Sequence, residues 1–385
     1  MRTKPIPSCF PPSNVWFPLV YTTLSLPTVD DPLNALIARH WDNLEELESA
    51  EELPHALKYN KQLQAAFAGH TPDLIWQRIE QKKYSMIETT AARPEDLKGP
   101  EWAVLRDPQQ VPHTLDFEAS TTNVPPQYTD VIEQVVLVKR LREVSALIGF
   151  TRIESLSDYT EEVELPTEHI MRLSRKAPTW IPAAEVRGEG IFIQFREEAI
   201  RSWLQTPEMQ RHNQRFLEAH KRWRIAHKRE DPDANYPALR YVLLHTFAHA
   251  LMRQLALESG YAAASIHERI YAQEPEAEGG AMAGVLLYTA ASDSEGTLGG
   301  LVSLGEKLGA HIEGALEAMR YCASDPLCAE HVRLEDDTLH GATCHACLFA
   351  PETSCERGNR YLDRSVLVPT VERDNLAFFA IAPGR

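Results

Sequence analysis

The apolar positions of the chain change period several times. Val135, Val138, Leu141, Val144 and Leu147 recur at three-residue spacing, which predicts an amphipathic helix over 131–149 with Gly149 as its stop. Ile191, Ile193 and Phe195 alternate with their neighbours, and a strand is expected over 188–195. A helix should follow from about Glu197 to Lys228. Residues 229–237 (Arg-Glu-Asp-Pro-Asp-Ala-Asn-Tyr-Pro) form a turn-rich break. Leu239 to Glu258 reads as a buried helix ending at Gly260, Gly284 to Thr289 as a short apolar strand, and Leu301 to Tyr321 as another helix. Towards the N-terminus, Asn14 to Val20 is β-prone. Residues 31–110 carry mostly polar helical patterns, such as Leu33 to Glu52, and Pro108, Pro112, Pro125 and Pro126 mark a linker over 107–130.

Helices and strands mix without a regular βαβ alternation, and no internal repeat is present. The expected fold class is therefore α+β, mainly helical with short strands and a C-terminal four-cysteine zinc-binding domain. A length of 385 residues suggests two or three domains. The breaks divide the chain into 1–130, an N-terminal strand with a peripheral helical region; 131–230, a central α+β region; and 231–385, a domain ending in the cysteines. A content of 43% hydrophobic and 24% charged residues is that of a soluble globular protein. No apolar run reaches the roughly 18 residues of a membrane span, and residues 1–10 lack the apolar core of a signal peptide. A cytoplasmic location without a membrane partner is expected.

The cysteines change the picture most. Five of the six, Cys322, Cys328, Cys344, Cys347 and Cys355, fall within 34 residues; the sixth is Cys9. In a cytosolic chain such crowding points to metal rather than disulfides. Cys344-His345-Ala346-Cys347 is a knuckle that offers two thiolates to one ion, and a second pair completes a tetrahedron. Zinc suits an all-thiolate site. The candidate ligands are Cys328, Cys344, Cys347 and Cys355, with Cys322 as a possible substitute; buried free thiols are the alternative. A closed four-cysteine site is structural and leaves no position for a catalytic water.

Three other patterns carry weaker signals. His245 and His249 stand at i and i+4, the spacing of zincin ligands, but Thr246 occupies the place of the general-base glutamate. Hydrogen-bonded core histidines are the other reading. Asp293 to Gly300 is a glycine-rich loop between a strand and a helix, suited either to phosphate or to a tight turn. The chain has no GxxxxGK[ST] loop, so ATP turnover is not expected of it. Finally, the net charge of −16 argues against nucleic-acid binding through the overall field. Any such contact needs the local run Arg211, Arg215, Lys221, Arg222 and Arg224, which continues to Lys228 and Arg229 with Phe216 and Trp223 interleaved. A solvated helix face would explain that run equally well.

Five stretches carry a family resemblance: Ser13-Asn14-Val15-Trp16-Phe17-Pro18; Leu141 to Val144 with Gly149 to Arg152; Glu185 to Phe192; Leu244 to Leu251; and Gly341 to Arg364. Together they resemble the DrmB family, the helicase-associated subunits of bacterial DISARM anti-phage systems. The last two also resemble the zinc-binding domain of MrfA-type repair helicases, which marks 231–385 as helicase-associated. The likeness runs over most of the chain and is weakest at 31–130. Members of the family extend further before the Asn-Val-aromatic-Phe-Pro motif, and their Arg-Gly-Ala lead-in is Pro11-Pro12-Ser13 here. A split, truncated or variant form is thus expected, with a separate chain as a possible source of the missing portion. The resemblance implies a non-catalytic subunit that partners a DNA helicase of the DrmA kind and helps bind or gate DNA. The alternatives are a zinc-dependent hydrolase using His245 and His249, or a stand-alone DNA-binding regulator.

Overall fold

The computed structural model describes residues 16–26, 32–45, 47, 49–88, 97–111, 113–152, 170–174, 180–277, 279–289, 300–322, 324, 328, 339–370, 373 and 375–379. Cys9, the Pro11–Ser13 lead-in with Asn14 and Val15, and the Asp293–Gly299 part of the glycine-rich loop lie outside the described residues.

An antiparallel sheet organises the chain. Its strands are β1 (Trp16–Leu24), β2 (Glu118–Thr122), β3 (Ile132–Arg152), β4 (Met171–Arg172), β5 (Ala183–Phe195), β6 (Ile266–Gln273) and β7 (Met282–Thr289). The order is β1-β3-β5-β7-β6, and β2 and β4 also pair with β3. The sheet thus takes strands from all three segments of the chain, and with the surrounding helices the class is α+β.

The long strand β3 replaces the helix expected over 131–149. The three-residue spacing is genuine, but it overlooks the run Val135-Val136-Leu137-Val138. β-Branched side chains crowd a helix and pack well on a pleated surface. In β3, Val135 and Leu137 face one core and Val136 and Val138 face another. A strand covered on both sides reads as continuously apolar rather than alternating. Register shifts between Ile132 and Gln134 and between Val138 and Leu141 absorb extra residues.

Helices cover both faces. On one lie α6 (Glu197–Leu204), α7 (Pro207–Ala226), α8 (Ala238–Ser259), α9 (Gly300–Gly305) and α10 (Leu308–Arg320), packed on Ile191, Ile193, Phe195, Val285 and Leu287. On the other, α5 (Lys98–Arg106) sets Trp102 edge-on to Phe192 at 5.6 Å. The helices α1 (Pro32–Arg39), α2 (Leu53–Tyr59), α3 (Lys61–Ala66) and α4 (Pro72–Glu88) surround a separate small core that includes Leu33, Ile37, Phe67 and Ile79.

The helix expected over 197–228 is two helices. Pro207 has no N–H to continue α6, and it starts α7 with Thr206 as the cap, whose Oγ1 accepts from the Met209 N–H. The 301–321 helix is likewise interrupted, between Gly305 and Leu308. α8 does end at Gly260, in the left-handed region at φ 74°. It is buried nearly all round, as its uniformly apolar sequence requires. Gly188 in β5 owes its identity to close approach: a Cβ there would lie 1.6 Å from the Thr289 carbonyl oxygen.

Candidate metal centres

Beyond α10 the chain turns back over α8. The Gly341 N–H donates to the Leu362 carbonyl at 2.8 Å and the Arg364 N–H to the Ala342 carbonyl at 3.2 Å, which braces the two limbs of the cysteine segment. The tail then lays Phe378 and Phe379 against Phe195, with Phe379 stacked on Phe247. Asp363 locks this arrangement. Its Oδ1 accepts from the Ala342 and Ser365 N–H groups and from Ser365 Oγ, and its Oδ2 accepts from His212 Nε2 at 3.0 Å.

The first cluster holds Cys322, Cys328, Cys344 and Cys347. The Cys344–Cys347 turn is tight, with the Cys347 and Leu348 N–H groups both directed at the Cys344 carbonyl. The Cys344 N–H in turn donates to Cys347 Sγ at 3.2 Å. Cys322 comes from the end of α10 and lies 3.6 Å, sulfur to sulfur, from Cys344; Cys328 lies 3.7 Å from Cys347; and Cys344 and Cys347 are 3.7 Å apart.

Those separations are far from a disulfide of about 2.0 Å. They match the edge of a tetrathiolate around zinc, about 3.8 Å for bonds of about 2.3 Å. Arg364 supplies the complementary charge. It is fully buried, and its guanidinium nitrogens have no hydrogen-bond acceptor among the described residues. Its positive charge favours the thiolates of Cys328 and Cys347. A hydrogen bond from Cys328 holds the Cys347 thiol down at about 5 and pushes Cys328 up, so one thiolate is already stabilised in the pair. Four sulfurs at tetrahedral spacing beside a buried cation fit zinc.

Cys355 stands apart from this cluster. It joins His245, His249 and Glu268 in a second group, whose four donor atoms lie within 4.8 Å of one another. The geometry therefore puts Cys322, the substitute, with Cys328, Cys344 and Cys347, and sends Cys355 elsewhere. Linear spacing carries no information on this point, because Cys355 opens a second knuckle of its own. There the Asn359 N–H donates to Cys355 Sγ at 3.2 Å across a turn in which Gly358 and Asn359 are left-handed, and the Asn359 amide bridges Ala350. Glu268 was not a sequence candidate. Its signal was an acidic residue between Ile266 and Ile270 on the core-facing side of β6.

The second group is buried throughout. His245 Nε2 lies 3.0 Å from Glu268 Oε1 and 3.2 Å from Cys355 Sγ, and His249 Nε2 lies 3.4 Å from Glu268 Oε1. Burial opposes charge on both imidazoles, but the Glu268 carboxylate outweighs it. His245 is pushed up to about 9 and His249 well above its ordinary value. Against burial and Glu268, the two histidines bring Cys355 down to about 7. Both histidines are thus buried beside a carboxylate that comes from β6 rather than from α8.

The basic run lies on α7 but is not one face. Arg211, Arg215 and Arg222 are exposed and share a side of the helix. Lys221 is half-buried and pairs with Asp233 at 2.5 Å. Arg224 is buried, and its Nε donates to the Asp231 carbonyl, so it does not reach solvent. Phe216 and Trp223 are core residues. Among the described residues, no helix is long and apolar enough to cross a membrane.

Residues 247–348 match the family of the MrfA Zn-binding domain, MZB. The DISARM protein DrmB of Bacillus paralicheniformis is 42% identical over 271 residues, which cover 69% of this chain and 46% of that protein. The chain thus spans about half the length of the curated relative it matches. The crystal structure of the DUF1998 helicase MrfA bound to DNA aligns with 54% of this chain and 21% of that one, at 10% identity and a TM-score of 0.26. The chain is thus similar over 69% of its length to the DISARM protein DrmB, and its match to the MrfA Zn-binding domain together with the four clustered cysteines supports zinc as its metal.

Proposed function

We propose that this chain is a non-catalytic subunit that stands beside a DNA helicase in bacterial anti-phage defence and helps that helicase bind or gate DNA. In this reading Cys322, Cys328, Cys344 and Cys347 hold one structural zinc in the cytoplasm, and a DrmA-like partner supplies ATP turnover. The observation that carries the reading is the closed cysteine cluster, in a chain with 42% identity to a DISARM protein. Four protein thiolates leave zinc no position for a reacting water, and the sequence has no phosphate-cradling lysine loop. The hydrolase alternative gains no support from His245 and His249, which are buried against Glu268 and Cys355.

The DNA contact is expected on the exposed side of α7, at Arg211, Arg215 and Arg222. Lys221 and Arg224 are poorer candidates because of the partners and burial described above. Glu218 lies on the same exposed side, so the patch is a modest one and most phosphate contacts should come from the helicase. Alone, the chain is expected to bind duplex DNA weakly. In the complex, replacing Arg211, Arg215 and Arg222 with Glu should weaken binding. It should also flatten the salt dependence by roughly one unit of log–log slope per lost phosphate contact. A salt titration of wild-type and variant complexes on one duplex measures this. Identical slopes would show that the α7 face is merely solvated.

A further inference from the structure

We propose that His245, His249, Glu268 and Cys355 form a second, closed metal site that holds a divalent ion of the zinc class. The site has ligands of its own, none shared with the four-cysteine cluster. Its donors come from three places in the fold: two from adjacent turns of α8, one from the inward side of β6, and one from the knuckle after Pro351.

The orientation of His249 is the first argument. Its Nδ1 lies 2.7 Å from the Leu348 carbonyl oxygen. A carbonyl only accepts, so Nδ1 carries the hydrogen. In the neutral ring Nε2 is then a bare lone pair, and it points at Glu268 and has no hydrogen-bond partner. An imidazole whose outer N–H is held by a backbone carbonyl while its inner nitrogen faces a carboxylate is oriented as a metal ligand is. Glu268 faces both histidines with Oε1 and carries a second orphan on its other oxygen. Its Oε1 accepts from the Glu356 N–H at 3.2 Å, while Oε2 is buried with no partner. Two orphaned buried acceptor atoms on neighbouring residues are costly unless a positive group satisfies them.

The spacing is compact enough for one ion. A tetrahedron with bonds of about 2.0–2.3 Å has edges of about 3.3–3.8 Å; three of the donor separations are 3.0, 3.2 and 3.4 Å, at or just below that range, and all lie within 4.8 Å. Charge closes as well. Two neutral imidazoles, one carboxylate and one thiolate carry two negative charges, and a divalent cation neutralises them inside the core. Two protons shared among the same groups would give the same net charge, so a proton-bridged core network is the competing arrangement. Four protein donors without an open position make the ion structural. It would tie α8 to β6 and to the knuckle at Cys355. Leu348, which fixes His249, directly follows Cys347, so the two sites would brace each other.

The test is elemental analysis and zinc-edge X-ray absorption of the purified full-length chain. The expected result is about two zinc ions per chain with a mixed environment of sulfur and nitrogen or oxygen. In Cys355→Ser the count should fall to about one, with sulfur ligands alone. A wild-type chain holding one zinc with only sulfur ligands would overturn the proposal and leave the cluster as a proton-bridged network. One zinc with nitrogen or oxygen ligands would put the metal here and remove it from the four cysteines, so failure of either site is visible by itself. Should Cys355→Ser not fold, the wild-type count and ligand environment still decide the question.

Discussion

Replacing Cys344 and Cys347 together with Ser should release the zinc of the four-cysteine cluster and unfold the C-terminal part of the chain from α10 onward. Structural zinc binding is folding free energy, on the order of 10 kcal/mol. That is comparable to the whole stability of an ordinary domain, about 5–15 kcal/mol. The loss should spread, because the braced limbs at Gly341–Leu362 and Ala342–Arg364 and the Phe378–Phe379 plug all depend on the cysteine segment. The buried Arg364 would lose the thiolates that balance it. Zinc content and amide hydrogen exchange should show both effects, with protection lost in α10 and over 339–379. An unchanged melting curve in a protein that no longer holds zinc would contradict a structural role for the metal.

Asp363→Ala should cost about 3–5 kcal/mol without touching any metal ligand. The carboxylate is fully buried and accepts four hydrogen bonds. Truncation leaves the His212 N–H and two backbone N–H groups unsatisfied, and removing one partner of a buried charged network is costly to about that degree. Arg373 Nη1 donates to His212 Nδ1 at 2.8 Å, so the ring presents Nε2–H to the carboxylate and the whole chain of bonds fails together. The pH dependence has a definite sign. Burial raises the Asp363 pKa, but the hydrogen bonds from His212 and Ser365 outweigh it and hold it at about 2. A depressed carboxylate contributes stability above its unfolded pKa of about 3.9, and that contribution is lost as pH falls towards about 2. The gap between wild type and Asp363→Asn in urea melts should therefore narrow across that window. A gap below about 0.5 kcal/mol at neutral pH would show that the network adds little.

The parts of the fold legible from sequence were those with a strong local code. α8 was visible as an apolar run closed by Gly260, β7 as a short apolar strand, and the Cys344–Cys347 knuckle by spacing alone. β3 was misread because its three-residue recurrence fits a helix, while its β-branched centre and the two cores it separates become apparent only once strands lie on both sides. β6 was missed because Glu268 breaks its apolar alternation, and that break is the feature that marks the second cluster. Long-range pairing also decides the cysteines. Cys322 is farther in sequence from the knuckle than Cys355, but α10 ends beside it and delivers Cys322 there. The basic run shows the same limit. Composition could not tell exposed Arg222 from buried Arg224, because the difference depends on what α7 packs against.

As proposed, this chain works as a zinc-holding partner of a helicase. The most direct test is purification of the full chain from its own cells through a small tag, with identification of the proteins that come with it and assay of ATP turnover. The account predicts a stoichiometric helicase carrying nucleotide-binding motifs, with turnover that follows that partner and disappears when it is removed. Recovery of the chain without a helicase, or ATP hydrolysis by the chain in a preparation free of helicase, would contradict it.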